Sequence, residues 1–102
     1  TRVIDIVNEL QEYGIAPMIA DPEADVEEAN HEYGITFNSI EEVSQMDAVI
    51  IAVGHDQFMK LEQSDFNKMF KQAENGNKVL LDIKGVLDRE EYEAAGYRYW
   101  RL

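Results

Sequence analysis

Cysteine is missing from all 102 residues, which excludes a disulfide framework, a thiolate metal site and a cysteine nucleophile within this stretch. That composition accords with a cytoplasmic location, which is the expectation here. Basic residues are scarce as well: nine Lys and Arg stand against 21 Asp and Glu, for a net charge of −12. Such a balance repels a phosphate backbone and an anionic membrane surface, so neither nucleic acid nor membrane is an expected partner. Long apolar runs are absent too. The longest, Ala48 to Val53, is far short of the roughly 20 residues a spanning helix needs, and no basic-then-apolar segment opens the chain. Because the first residue is Thr1, the expectation is a piece of something longer.

What is present suits one folded domain with one core. Apolar residues make up 45% and charged residues 29%, a globular balance without a sign of disorder. Val3, Ile6, Val7 and Leu10 recur at helical spacing, and Gly14 supplies the stop, which predicts an amphipathic helix over 3–13. The short apolar stretch over 15–20, with Pro17 near its start, reads as a strand. Asp21 and Pro22 open a helix over about 22–33 by capping it. "EYGI" occurs at 12–15 and at 32–35, each time where a helix hands over to a strand.

Residues 35–37 read as a very short strand, and Ser39 with Glu42 forms a capping box for the next short helix. "DAVIIAVG", from Asp47, is a strand apolar throughout and expected to be covered on both faces. Phe66, Met69 and Phe70 mark one face of a helix over 65–73, broken by "ENGN" before a strand from Lys78 to Asp82. Asp88 caps a last helix, Gly96 ends it, and "YRYWR" makes a final strand. Helices alternating with short apolar strands define an α/β fold, a three-layer Rossmann-like parallel sheet with helices on both faces. Such sheets begin with a strand, whereas this chain begins with a helix, so a first strand is expected upstream of Thr1.

In open α/β sheets ligands bind outside the carboxyl ends of the strands, which singles out Asp21, Gly54 to Asp56, and Asp82 to Gly85. Asp21 stands where a dinucleotide fold holds a ribose hydroxyl, but no glycine-rich turn precedes it, and helix capping accounts for it better. His55 and Asp56 form either an acid/base or orienting pair or ordinary loop structure. His31 has no second ligand at helical spacing, so it is no metal site. "DPEADVEE" and "DREEYE" load first helical turns, where negative charge suits the helix dipole. Phe66, Tyr97, Tyr99 and Trp100 could stack a base, but aromatics beside a terminal strand more often fill the core or an edge, and no basic residues interleave in the manner of base-stacking proteins. Lys84 is either a cation that meets a phosphate or sugar hydroxyls, with Gly85 letting backbone approach closely, or a plain turn charge.

The order of "TRVIDIVNEL", "IADPEAD", "DAVIIAVGHDQF" and "LLDIKGVLD" resembles the C-terminal, UDP-binding domain of the UDP-glucose/GDP-mannose dehydrogenase family. The resemblance spans essentially all 102 residues and implies one UDP-sugar-binding domain over 1–102. It implies that the parent enzyme oxidises the C6 hydroxyl of a nucleotide sugar to a carboxylate in two NAD-dependent steps through a cysteine-linked intermediate. The product would be the uronic acid of a UDP-hexose or UDP-N-acetylhexosamine, for surface polysaccharide synthesis. The cysteine and the NAD-binding Rossmann domain would lie upstream, and so would the family's Phe-Lys and Asp-x-Arg segment, leaving this piece inactive alone. The expected partner is a UDP-sugar, within a homo-oligomer of the full enzyme.

The family's Asp-Gly-Arg or Asp-x-Lys pattern, followed by x-Val-Leu-Asp, falls on Asp82, Lys84, Val86, Leu87 and Asp88. By that carry-over Lys84 reaches the nucleotide sugar; Asp82 and Gly85 of the same pattern, and His55 from its strand-end position, complete the expected substrate-binding set, with no residue here catalytic. Lysine stands where several members have arginine, a point charge in place of a bidentate fork. "VGHD" corresponds to a region that varies among members, while "DIKG" and the final "YWRL" look more like bacterial members acting on N-acetylated UDP-sugars. Two rival readings are a non-catalytic nucleotide-sensing or response-regulator-like module and an oligomerisation domain with the same kind of sheet. A receiver would need an acidic cluster at the early strand ends, which "IADP" and "AVGH" do not supply.

Overall fold

The structure, a computed structural model, describes residues 2–21 and 37–102. They belong to two compact units, Thr1–Val43 and Ser44–Leu102. In the first unit, α1 (Arg2–Glu12) forms where the apolar spacing requires it, with Val7 buried. The helix stops because Gly14 adopts φ +80°, a left-handed conformation that costs glycine little. The turn then closes through the Gly14 N–H to the Gln11 carbonyl and the Ile15 N–H to the Leu10 carbonyl, both at 3.0 Å.

Strand β1 (Ile19–Ala20) pairs in parallel with β2 (Phe37–Asn38), Ile19 opposite Phe37 and Ala20 opposite Asn38. The strand expected over 15–20 keeps only its last two residues, because Pro17 has no N–H for a ladder and ordered pairing starts beyond it. Of the strand expected over 35–37, residues 35 and 36 lie outside the described residues; Phe37 is in β2, which runs on to Asn38. Ser39 and Glu42 do form the expected box: the Glu42 carboxylate accepts from the Ser39 N–H and hydroxyl, each at 3.0 Å. What they start is a single 3-10 turn, Ile40–Glu42. The helix expected over 22–33, with His31 in it, lies outside the described residues.

The second unit repeats strand, helix, strand. Its elements run β3 (Ala48–Ile51), α2 (Asp56–Met59), α3 (Gln63–Met69), a 3-10 turn (Asn75–Asn77), β4 (Val79–Asp82), α4 (Arg89–Ala94) and β5 (Arg98–Arg101). The strands are parallel in the order β3-β4-β5, with Ile51, Asp82 and Arg101 abreast at their carboxyl ends. The chain is thus α/β with parallel sheets of two and three strands.

Burial tracks the central strand: Leu80 and Asp82 of β4 are fully enclosed. β3 is less covered than its apolar run suggests, with Ala48 exposed and Ile51 buried, because among the described strands it pairs on one side only, with β4. Phe66 and Met69 of α3 pack inward with Phe70, Leu87, Tyr92, Tyr97 and Tyr99. Phe66 meets Tyr92 edge to face at 5.9 Å, and Tyr92 stacks on Tyr99 at 6.3 Å, each such pair contributing about 0.5–1.5 kcal/mol beyond its buried area. Three of the four aromatics weighed for base stacking are therefore core. Trp100, at 63% exposure, is the one outside it.

Caps set the helix starts. The Asp88 carboxylate accepts from the Glu91 N–H at 3.1 Å to open α4, and Gly96, at φ +93°, closes the turn that follows. At the opposite, amino end of the strands, Lys78 is nearly enclosed. Its ammonium donates to Asn67 Oδ1 at 3.2 Å and to Asn75 Oδ1 at 3.0 Å, over the face of Tyr97.

Candidate functional site

β4 ends on Asp82, and the carboxylate organises everything that follows. Its Oδ1 accepts from the Val86 N–H at 3.0 Å; its Oδ2 accepts from the Leu87 N–H at 2.9 Å and from the Tyr99 hydroxyl at 2.5 Å. The chain is thereby folded back over its own strand end. The Ile83 N–H donates to the Ile51 carbonyl at 3.0 Å, extending the ladder by one bond, and Gly85 turns the chain at φ +66°. Burial alone would raise the Asp82 carboxyl. The hydrogen bonds from Tyr99, Leu87 and Val86, with the charge of Arg101, outweigh it and hold the group below the usual carboxylate range.

Lys84 is placed by this turn. It is exposed beside Gly85 at the carboxyl rim of the β3-β4-β5 sheet. Among the described residues no ion pair engages it. A lysine on a turn braced from inside keeps its ammonium available to solvent and to a ligand anion while the backbone stays fixed.

Arg101 joins the same rim and was not singled out by sequence reasoning. Its Nε donates to the Tyr99 hydroxyl at 3.1 Å and its Nη2 to the Leu87 carbonyl at 2.5 Å. The guanidinium lies over the Tyr99 ring, 5.7 Å from its centroid, and 4.0 Å from Asp82 Oδ2. A Cβ on Gly85 would sit 3.3 Å from Arg101 Nε, so glycine here leaves room for the guanidinium. The sequence did carry a signal. Strand alternation puts Tyr97, Tyr99 and Arg101 on one face, and two of those three are core aromatics.

The turn after β3 lies alongside, since a Cβ on Gly54 would meet Val86 Cγ1 at 3.7 Å. His55 caps α2: its Nδ1 accepts from the Gln57 N–H at 3.1 Å, and its ring packs on Phe58 at 5.4 Å. Asp56 opens α2 and is exposed. The rim therefore brings Asp82, Lys84, Gly85 and Arg101 into one loop system, with the turn that carries His55 packed against Val86. Asp21 follows β1 in the other unit, and the helix it was expected to cap lies outside the described residues.

The arrangement can receive an anion. Eight of the nine basic residues lie at Lys60 or beyond, where they balance eight Asp and Glu, so the net charge of −12 resides in the residues before Lys60. Among the described residues no cluster of His, Asp and Glu is built to hold a metal ion. The sequence also lacks the glycine-rich turn of a dinucleotide-binding motif. The six glycines are scattered with no Gly-x-Gly pair, and the turn after β3 offers Gly54 alone.

Parallel α/β strands with a cationic loop at their carboxyl rim define a ligand-binding module of the Rossmann-like class. The particular kind follows from comparison: the UDP-glucose/GDP-mannose dehydrogenase family, UDP binding domain, matches residues 1–89, and the chain belongs to that family. It is 42% identical over 91 residues to UDP-N-acetyl-D-glucosamine 6-dehydrogenase of Salmonella typhi, covering 89% of this chain and 20% of that protein. It is 33% identical to Protein CapL of Staphylococcus aureus over 102 residues, all of this chain and 23% of that protein. It is 40% identical over 91 residues to UDP-N-acetyl-D-glucosamine 6-dehydrogenase of Pseudomonas aeruginosa, 89% of this chain and 21% of that protein. The chain thus spans about a fifth of the length of these relatives. No solved structure matches it.

Proposed function

We propose that residues 1–102 are the UDP-sugar-binding, C-terminal domain of an NAD-dependent UDP-sugar 6-dehydrogenase, and that Lys84 meets the diphosphate of the substrate. The observation that carries this reading is the exposed Lys84 on a loop locked from within by Asp82, at the strand ends where α/β domains bind ligands. Asp82 and Gly85 serve binding by shaping that loop, and His55 borders it through the turn at Gly54. A rim held in one geometry before the ligand arrives lowers the ordering cost of binding and fixes the sugar for oxidation.

The substrate is a UDP-hexose or, by the names of the relatives in Salmonella and Pseudomonas, a UDP-N-acetylhexosamine whose C6 carbon becomes the uronic acid carboxylate. NAD is assigned to the remainder of the parent enzyme, since no Gly-x-Gly turn of the dinucleotide-binding kind occurs in this sequence. The product serves surface polysaccharide synthesis, and the full enzyme is a cytoplasmic homo-oligomer. Among the described residues no helix is long and apolar enough to cross a membrane.

Titrating the full-length protein with UDP, with and without Lys84→Ala, tests the site. Loss of one charge-assisted contact worth about 1.5–3 kcal/mol should weaken binding about ten- to a hundredfold. Unchanged affinity removes Lys84 from the site.

A further inference from the structure

We infer that Arg101 is a positioning residue for UDP binding: it braces the Lys84 loop from beneath, so that the ammonium is presented in one place. This rests on the UDP reading of the rim. Three contacts carry it. Arg101 Nη2 holds the Leu87 carbonyl at the far end of the loop, and Nε holds the Tyr99 hydroxyl that itself donates to Asp82 at the near end. Between those ends the guanidinium fills the space beneath Gly85, where even a methyl group would press on Nε. The cation therefore spans the loop from its start to its finish, and Lys84 sits on the span.

The chemistry of the bracing group matters. A guanidinium donates in a fixed planar fork, so two acceptors in different directions are held at once. A lysine ammonium at the same position would have a single nitrogen to serve both. With the fork engaged below, Arg101 keeps its place without touching the ligand, and Lys84 makes the contact. Loosening the fork lets the loop sample other conformations, and the competent fraction sets the apparent affinity.

A double-mutant cycle on the full-length enzyme separates this from simpler roles. UDP affinity is measured by calorimetry, with thermal midpoints alongside, for wild type, Lys84→Ala, Arg101→Gln and the pair. With Lys84 present, Arg101→Gln should weaken UDP about tenfold, and in the Lys84→Ala background by less than about twofold. Arg101→Lys, which keeps the charge but not the fork, should resemble Arg101→Gln and show the same Lys84-dependent loss.

A lowered thermal midpoint with unchanged UDP affinity overturns the inference, as does full rescue by Arg101→Lys. Equal losses in both backgrounds overturn it also, since Arg101 would then contact UDP on its own account. If Arg101→Gln does not fold, the Arg101→Lys cycle decides by the same criterion. If Lys84→Ala binds UDP as wild type does, the rim reading itself falls; if it binds weakly while Arg101→Gln and Arg101→Lys do not, only the bracing role falls.

Discussion

Tyr99 stands opposite Leu80 in the β4-β5 register, yet its hydroxyl reaches two residues along β4 to donate to Asp82 at 2.5 Å. Leu80 and Asp82 share one face of β4. The tyrosine ring therefore covers the leucine while its tip satisfies the carboxylate, and a fully enclosed charge is tolerated because protein donors replace water.

Asp82→Asn tests how much of the loop depends on that charge. An amide can keep its oxygen toward Leu87 and Tyr99, but its NH2 must then face the Val86 N–H, donor against donor. The expected loss is about 1–3 kcal/mol in chemical denaturation, with faster hydrogen exchange at Val86. Stability equal to wild type would show that the loop closes without the charge.

The same carboxylate ties stability to acid. Burial raises its pKa, but its hydrogen bonds and Arg101 win, so the folded value lies below the ordinary 3.8. A depressed folded value means that the stabilisation is complete above 3.8 and is lost as pH falls from there through the folded value. The stability gap between wild type and Asp82→Asn should accordingly narrow on acidification in that window. A gap that stays constant contradicts this.

Alkali acts on the other side of the same cluster. Burial, aided by the charge of Glu91, pushes Tyr92 up from 10.0 to about 12, and burial likewise raises Tyr97 and Tyr99. For an acid with a raised folded value, the stabilisation is complete below the unfolded value and is lost as pH climbs through the folded one. Stability should fall between 10.0 and about 12, with tyrosinate absorbance rising together with loss of the fold. Tyr92→Phe should soften the transition. Tyrosinate appearing fully while the fold persists would be the contrary result.

Much of this was legible where local chemistry decides. The α1 spacing, the Asp88 cap, the glycine stops and the strands from 47 and 78 all follow from period and capping, and the structure repeats them. The strand at β1 starts later than its apolar stretch suggests because so short a pairing is fixed by tertiary partners, which periodicity does not report. Lys84 and Gly85 could be named from a strand-end rule. Arg101 could not, because its role needs β5 laid beside β4 and the Asp82 loop folded back, two non-local facts. For His55 the sequence left an acid/base or orienting pair and ordinary loop structure both open, and it did not show the short helix that its Nδ1 caps.

At the amino ends of the strands, Lys78 and Asn75 make unequal partners, and the inequality can be measured. Among the described residues no carboxylate pairs with the Lys78 ammonium, whose acceptors are the neutral Asn67 and Asn75 side chains. Lys78→Met keeps the apolar stem, gives up a charge that is costly to bury, and leaves Asn67 still accepting from the Tyr97 hydroxyl. Asn75→Ala instead removes the 2.8 Å bond from Asn75 Nδ2 to the Ala95 carbonyl and takes an acceptor from an enclosed cation. The asparagine change should therefore cost about 1–3 kcal/mol and the lysine change under about 1 kcal/mol, in denaturation experiments run side by side. The opposite order would mean that the ammonium, and not the asparagine, holds the turn at Asn75–Asn77 to β5.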